Sequence, residues 1–580
     1  MRENYTNKSN WFIDNMQAKI SNFNEVQTFI DGENYMADLR NKILATTAND
    51  FIYATGWQFS IDQNLLGRQD LSSNFLDLLK SRANEQVNVK LLPWMPINIQ
   101  QMGAQENINQ HIKLFLKCWN SMIQVCLCQY NTFNGSHHQK SILVKNGNNI
   151  FAYLGGIDIA SDRWDTNNHL NSPDRNRQNF YGWHDIHLRI NGPASGDIYD
   201  NFKTRWNNLR ENTELIHFLP KNDNGEINYS LLTLDGFMHI NAISEDGLNR
   251  IINGPSLQGL KIPVKASNFT LVEQLPAEQP SSGSFDPSSP LYVPKLNNVN
   301  IQRLRTISLK STLPILTQDK SILEGFRNAI LKARHYIYLE DQYFWWSNSL
   351  TDAFKSAASR GVKIIGVTVK ESDADPLLSL DIQKNTHHSA WKTNINEING
   401  NNGQNVYLYH LDPVLVSPSL INSMEEKFGQ IYVHSKLMII DDIFVSVGSA
   451  NLNDRSMTCD SELAVGIIDN STSIGSINGI EVTVCDYARK LRIDLWSHHL
   501  NIPAPPENQN INEHILNDPL TNGKPTNWPD CYSSPTSIHY ISCHLPSMIH
   551  NDIDPLELNS DKTQIESDFF NELMSPKYLR

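Results

Sequence analysis

The sequence predicts an α/β protein made of two similar halves. A chain of 580 residues exceeds what one ordinary hydrophobic core supports. Strand and helix patterns alternate along it, which favours an open sheet with helices on its faces. The order of elements that begins near residue 51 begins again near residue 322, and such a repeat indicates an internal duplication.

The first half is expected to follow an N-terminal helical arm at residues 1–30. Strand-forming residues occupy 51–55, apolar residues recur at helical spacing over 75–83, and a second strand is predicted at 87–92. This order assigns the first lobe to residues 31–250.

The second half repeats the pattern. An amphipathic helix is predicted at 322–334, a strand at 335–340, a helix at 350–360 and a strand at 362–369. The second lobe is therefore assigned to residues 301–500.

Two segments lack this periodicity. Residues 251–300 contain a run rich in Pro, Ser and Gly, which is typical of a linker or insertion. Residues 501–580 are expected to form an irregular C-terminal tail.

Composition limits the classes of partner. Hydrophobic residues make up 40% of the chain and charged residues 19%, which indicates a globular protein. The net charge of −14 argues against a nucleic-acid binder and against simple docking on an anionic membrane.

The expected location follows from what the sequence lacks. The chain does not start with the apolar run of a secretory signal, and it has no stretch of 18 apolar residues. Its seven cysteines have no framework spacing, which fits free thiols in a reducing compartment. We expect a soluble protein, cytoplasmic or exported without a signal peptide (as a bacterial effector would be), and peripheral at membranes.

The strongest local motif lies in the second half. His434 and Lys436 are two residues apart on a predicted strand, so their side chains point to the same face. A histidine beside a cation on a rigid strand suits an anionic phosphodiester. Ser449, Asn451 and Glu462 follow in a glycine-containing segment and its continuation.

A partner motif occurs in the first half. His138 and Lys140 have the same spacing, and Gly156 and Asp158 follow. The two His-x-Lys units lie about 300 residues apart. They can form one site only if two similar lobes face each other.

Together these residues resemble the duplicated His-x-Lys-x4-Asp motifs of the phospholipase D superfamily. The likeness covers about residues 45–500 and is similar to the eukaryotic-type phospholipase D branch. The segments that carry it are 183–188, 192–194, 337–344, 432–442, 448–457 and 488–492.

The resemblance implies two α/β/α sandwich lobes that form a pseudo-dimer with the active site between them. It implies that His138 is the nucleophile and forms a phosphohistidine. His434 would protonate the departing alcohol and then deprotonate water. Lys140 and Lys436 would hold the non-bridging oxygens, and Asn451 would add a hydrogen bond.

Each catalytic histidine also needs a carboxylate that fixes its tautomer. Both candidates follow the glycine-containing segment of their own lobe, as the family places them. Glu462 is therefore expected to orient His434, and Asp165 is expected to orient His138.

The two copies of the motif differ. The second copy ends in Asp441, which the resemblance makes more structural than catalytic, whereas Lys145 stands at the corresponding place in the first. Asp158 takes the place that Asn451 has in the second half and is expected to be structural. Gly156 and Ser449 are expected to support the site.

Other histidines are weaker candidates. The pairs at 387–388 and 498–499 could be metal ligands, but adjacent histidines rarely chelate together, so we expect surface positions.

The function implied is hydrolysis of glycerophospholipids to phosphatidic acid and a headgroup alcohol, with other alcohols able to replace water. No metal is required, because the lysines act as cations, although some relatives use calcium. The partner is a phospholipid at a membrane surface, with no nucleic acid; the oligomeric state stays open. The alternatives are a nuclease, a phosphatidyltransferase that makes cardiolipin or phosphatidylserine, and a non-catalytic lipid-binding protein.

Overall fold

The computed structural model describes most of both lobes. The described residues are 8–95, scattered positions between 107 and 118, 121–129, 135–167, 169, 182–208, 296–308, 318–343, 348–369, 394–400, 404–411, 431–503, 511, 514–528 and 538–540.

The first lobe contains strands, helices and short 3₁₀ turns at Lys8–Trp11 and Leu71–Ser73. In chain order the regular elements are β1 (Ile20–Ile30), α1 (Gly32–Leu44), β2 (Phe51–Gly56), α2 (Phe75–Asn84), β3 (Asn88–Met95), β4 (Gln124–Val125), β5 (Cys128–Gln129), β6 (Ser141–Asn146), β7 (Asn149–Gly155), β8 (Gly182–His184), β9 (Ile186–Asn191) and α3 (Pro193–Asn208).

The second lobe repeats this series and extends into the tail. Its elements are β10 (Leu296–Thr306), α4 (Ser321–Lys332), β11 (Tyr336–Asp341), α5 (Asn348–Ser359), β12 (Lys363–Thr368), β13 (Val406–Leu411), β14 (Ile431–Val433), β15 (Lys436–Ile440), β16 (Phe444–Gly448), α6 (Asp454–Thr458), β17 (Glu462–Asp469), β18 (Thr472–Ile477), β19 (Ile480–Cys485), α7 (Asp486–His499), β20 (Leu520–Thr521), β21 (Lys524–Pro525) and β22 (Ile538–Tyr540).

Both lobes build their sheet in the same strand order. In the first lobe, β4 and β5 pair with β3, followed by β2, β6, β7, β9 and β1. In the second, β13 pairs with β12, followed by β11, β15, β16, β17 and β10. Each strand of one series has a counterpart in the other, which confirms the predicted duplication and the two α/β lobes.

Helices cover both faces of each sheet, because successive side chains of a strand point to opposite faces. On β2, Phe51 and Tyr53 pack in the cluster that includes Tyr199 of α3, whereas Ile52 and Ala54 pack with α1 and α2. This alternation produces the α/β/α sandwich. The two His-x-Lys units lie just before β6 and at the start of β15, where each bonds to the backbone of the other lobe; we call this junction the cleft.

The described part of the N-terminal segment, residues 8–30, is not a helical arm, so that prediction was wrong for these residues. Residues 20–30 form β1, which pairs with β9 and also with β10 of the other lobe, so the two sheets continue through this junction. Apolar residues at Ile20, Phe23, Val26 and Ile30 mimic helical spacing. The second half of this strand is buried on both faces, and there a spacing of two is no longer required.

The other boundaries also shift. β10 of the second lobe already includes Leu296, five residues before the predicted start, and residues 209–295 lie outside the described residues. The tail is not wholly irregular: β22 pairs with β13, and Trp528 packs against Tyr409 and Trp496. The described part of the tail therefore belongs to the second lobe.

The aspartate of the second motif anchors a strand at the end away from the cleft. Asp441 accepts hydrogen bonds from the backbone N–H groups of Arg334, His335 and Tyr336 at 2.7, 3.0 and 2.8 Å. These residues lead into β11, whose other end, Asp341, faces the second motif. The geometry is that of a structural group, because the carboxylate satisfies three backbone donors.

In the first lobe a different carboxylate, that of Asp50, takes the structural role that Asp441 has in the second. Lys145 contacts Asp50, which precedes β2 as His335 precedes β11; the Nζ to Oδ1 distance is 3.3 Å. Asp50 also accepts hydrogen bonds from the N–H groups of Gly147 and Thr47 at 2.9 and 2.8 Å. The carboxylate that stabilises this end of the lobe thus comes from another part of the chain.

Among the residues that the structure describes, no helix combines the length and the apolar character that crossing a bilayer requires.

Candidate active site

His138 is held at the boundary between the lobes. It lies three residues before the start of β6, and its backbone N–H donates to the carbonyl of Ser461 in the second lobe at 3.0 Å. Its Nδ1 lies 3.0 and 3.2 Å from the two carboxylate oxygens of Glu462. Because Nδ1–H donates to a carboxylate, the tautomer is fixed with Nε2 unprotonated and available for attack.

Glu462 is itself firmly positioned at the start of β17. The hydroxyl groups of Ser449 and Ser456 donate to its carboxylate oxygens at 2.5 and 2.8 Å. The Ser449 hydroxyl oxygen also accepts the N–H of Leu463 at 3.1 Å. Ser449 thus supports the site through Glu462.

His434 has the mirror arrangement. Its backbone N–H donates to the carbonyl of His184 in the first lobe at 2.7 Å, where β8 pairs in parallel with β14. Its Nδ1 lies 2.7 Å from Oδ2 of Asp185, the residue directly after β8. Here too the bond leaves Nε2 for proton transfer.

Each histidine therefore takes its carboxylate from the opposite lobe, and both predicted partners were wrong. Glu462 orients His138 instead of His434. Asp165 does not contact His138: its Oδ2 accepts hydrogen bonds from Nδ1 of His169 at 3.0 Å and from the N–H of Trp183 at 2.7 Å. Spacing within one lobe could not reveal a pairing that crosses the cleft.

Sequence reasoning missed Asp185, although it lies within the segment 183–188 that carried the family likeness. Its close approach depends on Gly156, because a Cβ at that position would lie 2.0 Å from the Asp185 Oδ1. The glycine of the first motif therefore makes room for the carboxylate of the second histidine.

The two lysines supply positive charge to both half-sites. Lys140 Nζ donates to the carbonyl of His138 at 3.0 Å and lies 3.2 Å from Oδ2 of Asp158. Lys436 Nζ donates to the carbonyl of His434. The other Asp158 oxygen accepts the N–H of Trp57 at 2.9 Å, which agrees with a structural role for this residue.

Electrostatics confirm that the half-sites share one environment. Burial, followed by the charges of Lys140 and Lys436, holds the pKa of His138 well below its usual value. Burial, Lys436 and then Arg163 do the same for the pKa of His434. A histidine of each lobe thus feels lysines from both, and both rings are neutral before substrate arrives.

Two family models match the chain. One, described as phospholipase D, matches residues 44–231, and the other, described as cardiolipin synthase, PLD-like domain, matches residues 326–478. Each match contains one of the His-x-Lys units that meet at the cleft. The chain belongs to the phospholipase D superfamily.

Plant proteins are among its relatives. Phospholipase D alpha 3 of Arabidopsis thaliana is 24% identical over 553 residues, covering 78% of this chain and 62% of the relative. Phospholipase D alpha 1 of Ricinus communis is 24% identical over 610 residues, covering 86% and 68%. These relatives agree with the eukaryotic-type branch. The chain spans less than two thirds of the length of the first and of several similar plant proteins.

A solved structure is also similar. The phosphatidylserine synthase of Haemophilus influenzae Rd KW20 is 11% identical with a TM-score of 0.43, and the match covers 77% of this chain and 82% of that chain.

Aromatic rings line the His434 half-site of this superfamily member. The ring of Trp183 packs 4.7 Å from that of His434 and stacks at 4.9 Å on Tyr432. The guanidinium carbon of Arg163 lies 3.9 Å from the centre of the Trp183 ring. These contacts restrict the His434 ring in addition to its bond to Asp185. These contacts were not predicted, although Trp183 and Tyr432 both lie in segments that carry the family likeness.

A buried cluster of histidines and carboxylates lies next to β8. His184 Nδ1 is 2.9 Å from Asp31 Oδ1, and its Nε2 is 2.9 Å from Glu340 Oε2. Two carboxylates on one ring raise the pKa of His184 well above its usual value, against the effect of burial. The charged ring joins the first lobe to the second directly beside Asp185.

The prediction that the 498–499 pair lies at the surface was wrong. His499 is buried, and its Nε2 lies 3.0 Å from Glu340 Oε1, while His498 bonds the carbonyl of Asn167. Both belong to α7, whose last turn packs into the interlobe cluster. The other pair, 387–388, lies outside the described residues.

The cluster is also where a cation would find ligand atoms. Asp31, His169, His184 and His498 offer atoms within 4.8 Å of one another. Calcium takes mostly oxygen ligands, and these donors are mostly imidazole nitrogens. Both ring nitrogens of His184 already bond to carboxylates, so neither is available to an ion. We assign no cation to these residues.

Proposed function

We propose that the protein is a phospholipase D-type phosphodiesterase that hydrolyses glycerophospholipids to phosphatidic acid and a headgroup alcohol. The observation that carries this proposal is the crosswise pairing of two histidines with two carboxylates around two lysines. Such a site has a nucleophile, a proton carrier and cations for a phosphodiester.

The first step forms a covalent intermediate. His138 Nε2 attacks phosphorus, the bond from phosphorus to the headgroup oxygen breaks, and His434 gives its Nε2 proton to the departing alcohol. Glu462 stabilises the positive charge that the phosphorylated ring carries. Lys140 and Lys436 hold the non-bridging oxygens, which carry the negative charge of the transition state.

His434 is neutral in the free site, so substrate must help to charge it. The phosphodiester anion offsets the charges of the two lysines and Arg163, which are what lower the pKa of His434 after burial. Asp185 then stabilises the imidazolium. Substrate binding and protonation of the general acid are therefore coupled.

The second step releases the product. His434 takes a proton from water, the water oxygen attacks phosphorus, and the bond from phosphorus to His138 breaks. An alcohol in place of water would give transphosphatidylation. Asn451 is buried, and we assign its Nδ2 group, the donor of its amide, to a non-bridging oxygen of the substrate. No step requires a metal, since the lysines provide the charge; calcium stays open.

A phosphatidyltransferase is the second candidate. The model that matches the second lobe is described as cardiolipin synthase, PLD-like domain, and the same intermediate would serve both reactions. The net charge of −14 disfavours a nuclease, and a complete set of histidines and lysines disfavours a non-catalytic lipid-binding protein.

Headgroup release from phosphatidylcholine, with and without added glycerol or a second phospholipid, tests the proposal. We expect choline and phosphatidic acid in water alone. Product formed only when an acceptor alcohol is present would favour the transferase, and cleavage of DNA without lipid hydrolysis would favour the nuclease. Lipid binding without turnover of any substrate would favour a non-catalytic lipid-binding protein.

Activity should also fall at mildly alkaline pH. Burial lowers the pKa of Lys436 to about 8, although Asp185 and Asp341 act in the opposite direction. As pH rises through about 8, Lys436 loses its proton and no longer attracts the phosphate, so kcat/KM should decrease. Bound substrate raises the pKa of Lys436, so the decrease in kcat should occur at higher pH.

The measurement is a pH profile with a monomeric short-chain substrate. Lys90 is a matched control: burial also lowers its pKa to about 8, but it lies on β3 beside Gln124. Lys90→Arg should leave the profile unchanged. A kcat/KM that stays level to pH about 10, where an ordinary lysine titrates, would contradict this account of Lys436.

A further inference from the structure

The loop between β2 and α2 exposes two leucines on a well-ordered framework. Leu71 is 78% exposed and Leu66 is 37% exposed, whereas the neighbouring Leu65 is fully buried. One apolar side chain of this loop is thus anchored in the core while two point outward. We call residues 61–74 the leucine loop.

Internal hydrogen bonds fix the conformation of the leucine loop. The N–H of Leu66 donates to the Ser73 hydroxyl at 3.0 Å, and the N–H of Leu65 donates to the Ser73 carbonyl at 2.9 Å. Asn64 Nδ2 donates to the carbonyl of Arg68 at 2.7 Å. The exposed leucines therefore lie on a loop with a fixed conformation. Little further conformational entropy is lost when this loop binds another surface.

The leucine loop leaves the sheet at the edge that carries the catalytic cleft. The two residues after β2, Trp57 and Gln58, donate their N–H groups to Asp158, whose other oxygen pairs with Lys140. Ser60 then donates to the carbonyl of Ile159 at 2.9 Å. The loop that carries Leu66 and Leu71 continues from there to the start of α2, so it begins at the end of the sheet where Lys140 lies.

The charges of the loop suit the interfacial region of a bilayer. Exposed Arg68 lies between the two leucines in sequence, so it can contact lipid phosphates while the leucines enter the acyl region. Asp62 and Asp70 flank them, and the whole chain carries −14. This balance disfavours an anionic surface and favours a zwitterionic one.

We propose that the leucine loop docks the protein on zwitterionic phospholipid bilayers, with Leu66 and Leu71 inserted beside the cleft. The lipid target rests on the proposed function, because a phosphodiester cleft needs access to headgroups in a membrane. A second copy of the chain would be the other occupant of such a surface, and vesicle flotation together with sedimentation separates the two.

The test compares Leu66→Ser/Leu71→Ser with the wild type in two measurements. Flotation with dioleoylphosphatidylcholine vesicles reports membrane binding, and choline release from monomeric dihexanoylphosphatidylcholine reports chemistry. We expect the variant to lose vesicle binding by about tenfold or more, since two leucines no longer leave water. Hydrolysis of the monomeric substrate should not change.

Met16→Ser/Phe23→Ser is the matched control. These residues are 97% and 71% exposed, and Phe23 lies near the start of β1, roughly 25 Å along the strand from the cleft end. The control should bind vesicles like the wild type. Equal losses in both variants, or unchanged binding in the leucine variant, would overturn the proposal.

Two further outcomes are informative. If the leucine variant changes the sedimentation of the protein but not its vesicle binding, the surface joins two copies of the chain and the membrane proposal is wrong. If the wild type floats with vesicles through these leucines yet hydrolyses neither substrate, the docking surface stands and the proposed hydrolase function fails.

Discussion

His138→Ala and His434→Ala are each expected to remove nearly all turnover of phosphatidylcholine, but for different reasons. Without His138 no nitrogen attacks phosphorus, and a loss of more than about ten-thousandfold in kcat is expected. Without His434 the departing alkoxide receives no proton and water is not activated, which should cost about a hundred- to ten-thousandfold in each step.

The leaving group distinguishes the two roles. A phosphatidyl ester of p-nitrophenol needs little protonation, so His434→Ala should release nitrophenol in a burst and then stop. His138→Ala should release none. Melting temperatures serve as the control, since both rings lie at the interlobe boundary. Near-normal turnover by either folded variant would contradict a paired site.

Asp185→Asn is the second substitution with a large expected effect. An amide in place of the carboxylate no longer accepts the Nδ1 proton of His434 in the same way, so the wrong tautomer presents a proton at Nε2 and cannot take one from water. A loss of about a hundred- to ten-thousandfold in kcat is expected. Glu462→Gln should be comparably slow because it disturbs His138.

The crosswise pairing predicts how these two variants differ. Asp185→Asn acts through the general acid, so the nitrophenyl ester should restore its first step, whereas Glu462→Gln acts through the nucleophile and should stay slow. Asp185→Asn and His434→Ala should also be non-additive when combined. Asp165→Asn is the control: it bonds His169 and the Trp183 N–H, so its effect should fall on stability more than on kcat. A rescue pattern in which Glu462→Gln responds instead of Asp185→Asn would show that the partners are exchanged.

Much of the fold could be predicted because its elements have regular local patterns. The strand predicted at 51–55 is Phe51–Gly56, and the helix predicted at 75–83 is Phe75–Asn84. The first strand was not recognised. Ile20–Ile30 lies where the two lobes meet and is buried on both faces over its last half, so polar Asn24, Gln27 and Thr28 occupy the interior and no alternation remains.

The residues of the site that could be predicted are those that lie close together in sequence. His138 and Lys140 lie just before β6, His434 and Lys436 lie at the start of β15, and spacing reveals such pairs. The carboxylates depend on contacts between residues that are far apart in sequence: Glu462 lies 324 residues from His138, and Asp185 lies 249 from His434. Nothing local to Asp185 distinguishes it from Asp165, which also follows the first motif. Only the pairing of β8 with β14 across the lobes decides between them.

In the proposed mechanism, a histidine of the first lobe becomes covalently attached to phosphorus while a histidine of the second lobe moves the protons. Rapid quenching of the wild type with phosphatidylcholine labelled in its phosphate, followed by mass mapping, tests this claim directly. We expect a base-stable, acid-labile phosphatidyl adduct on His138, which accumulates in His434→Ala given the nitrophenyl ester and is absent from His138→Ala. Label on His434 would reverse the roles, and the absence of any adduct, together with no exchange of alcohol for water, would contradict covalent catalysis in this protein.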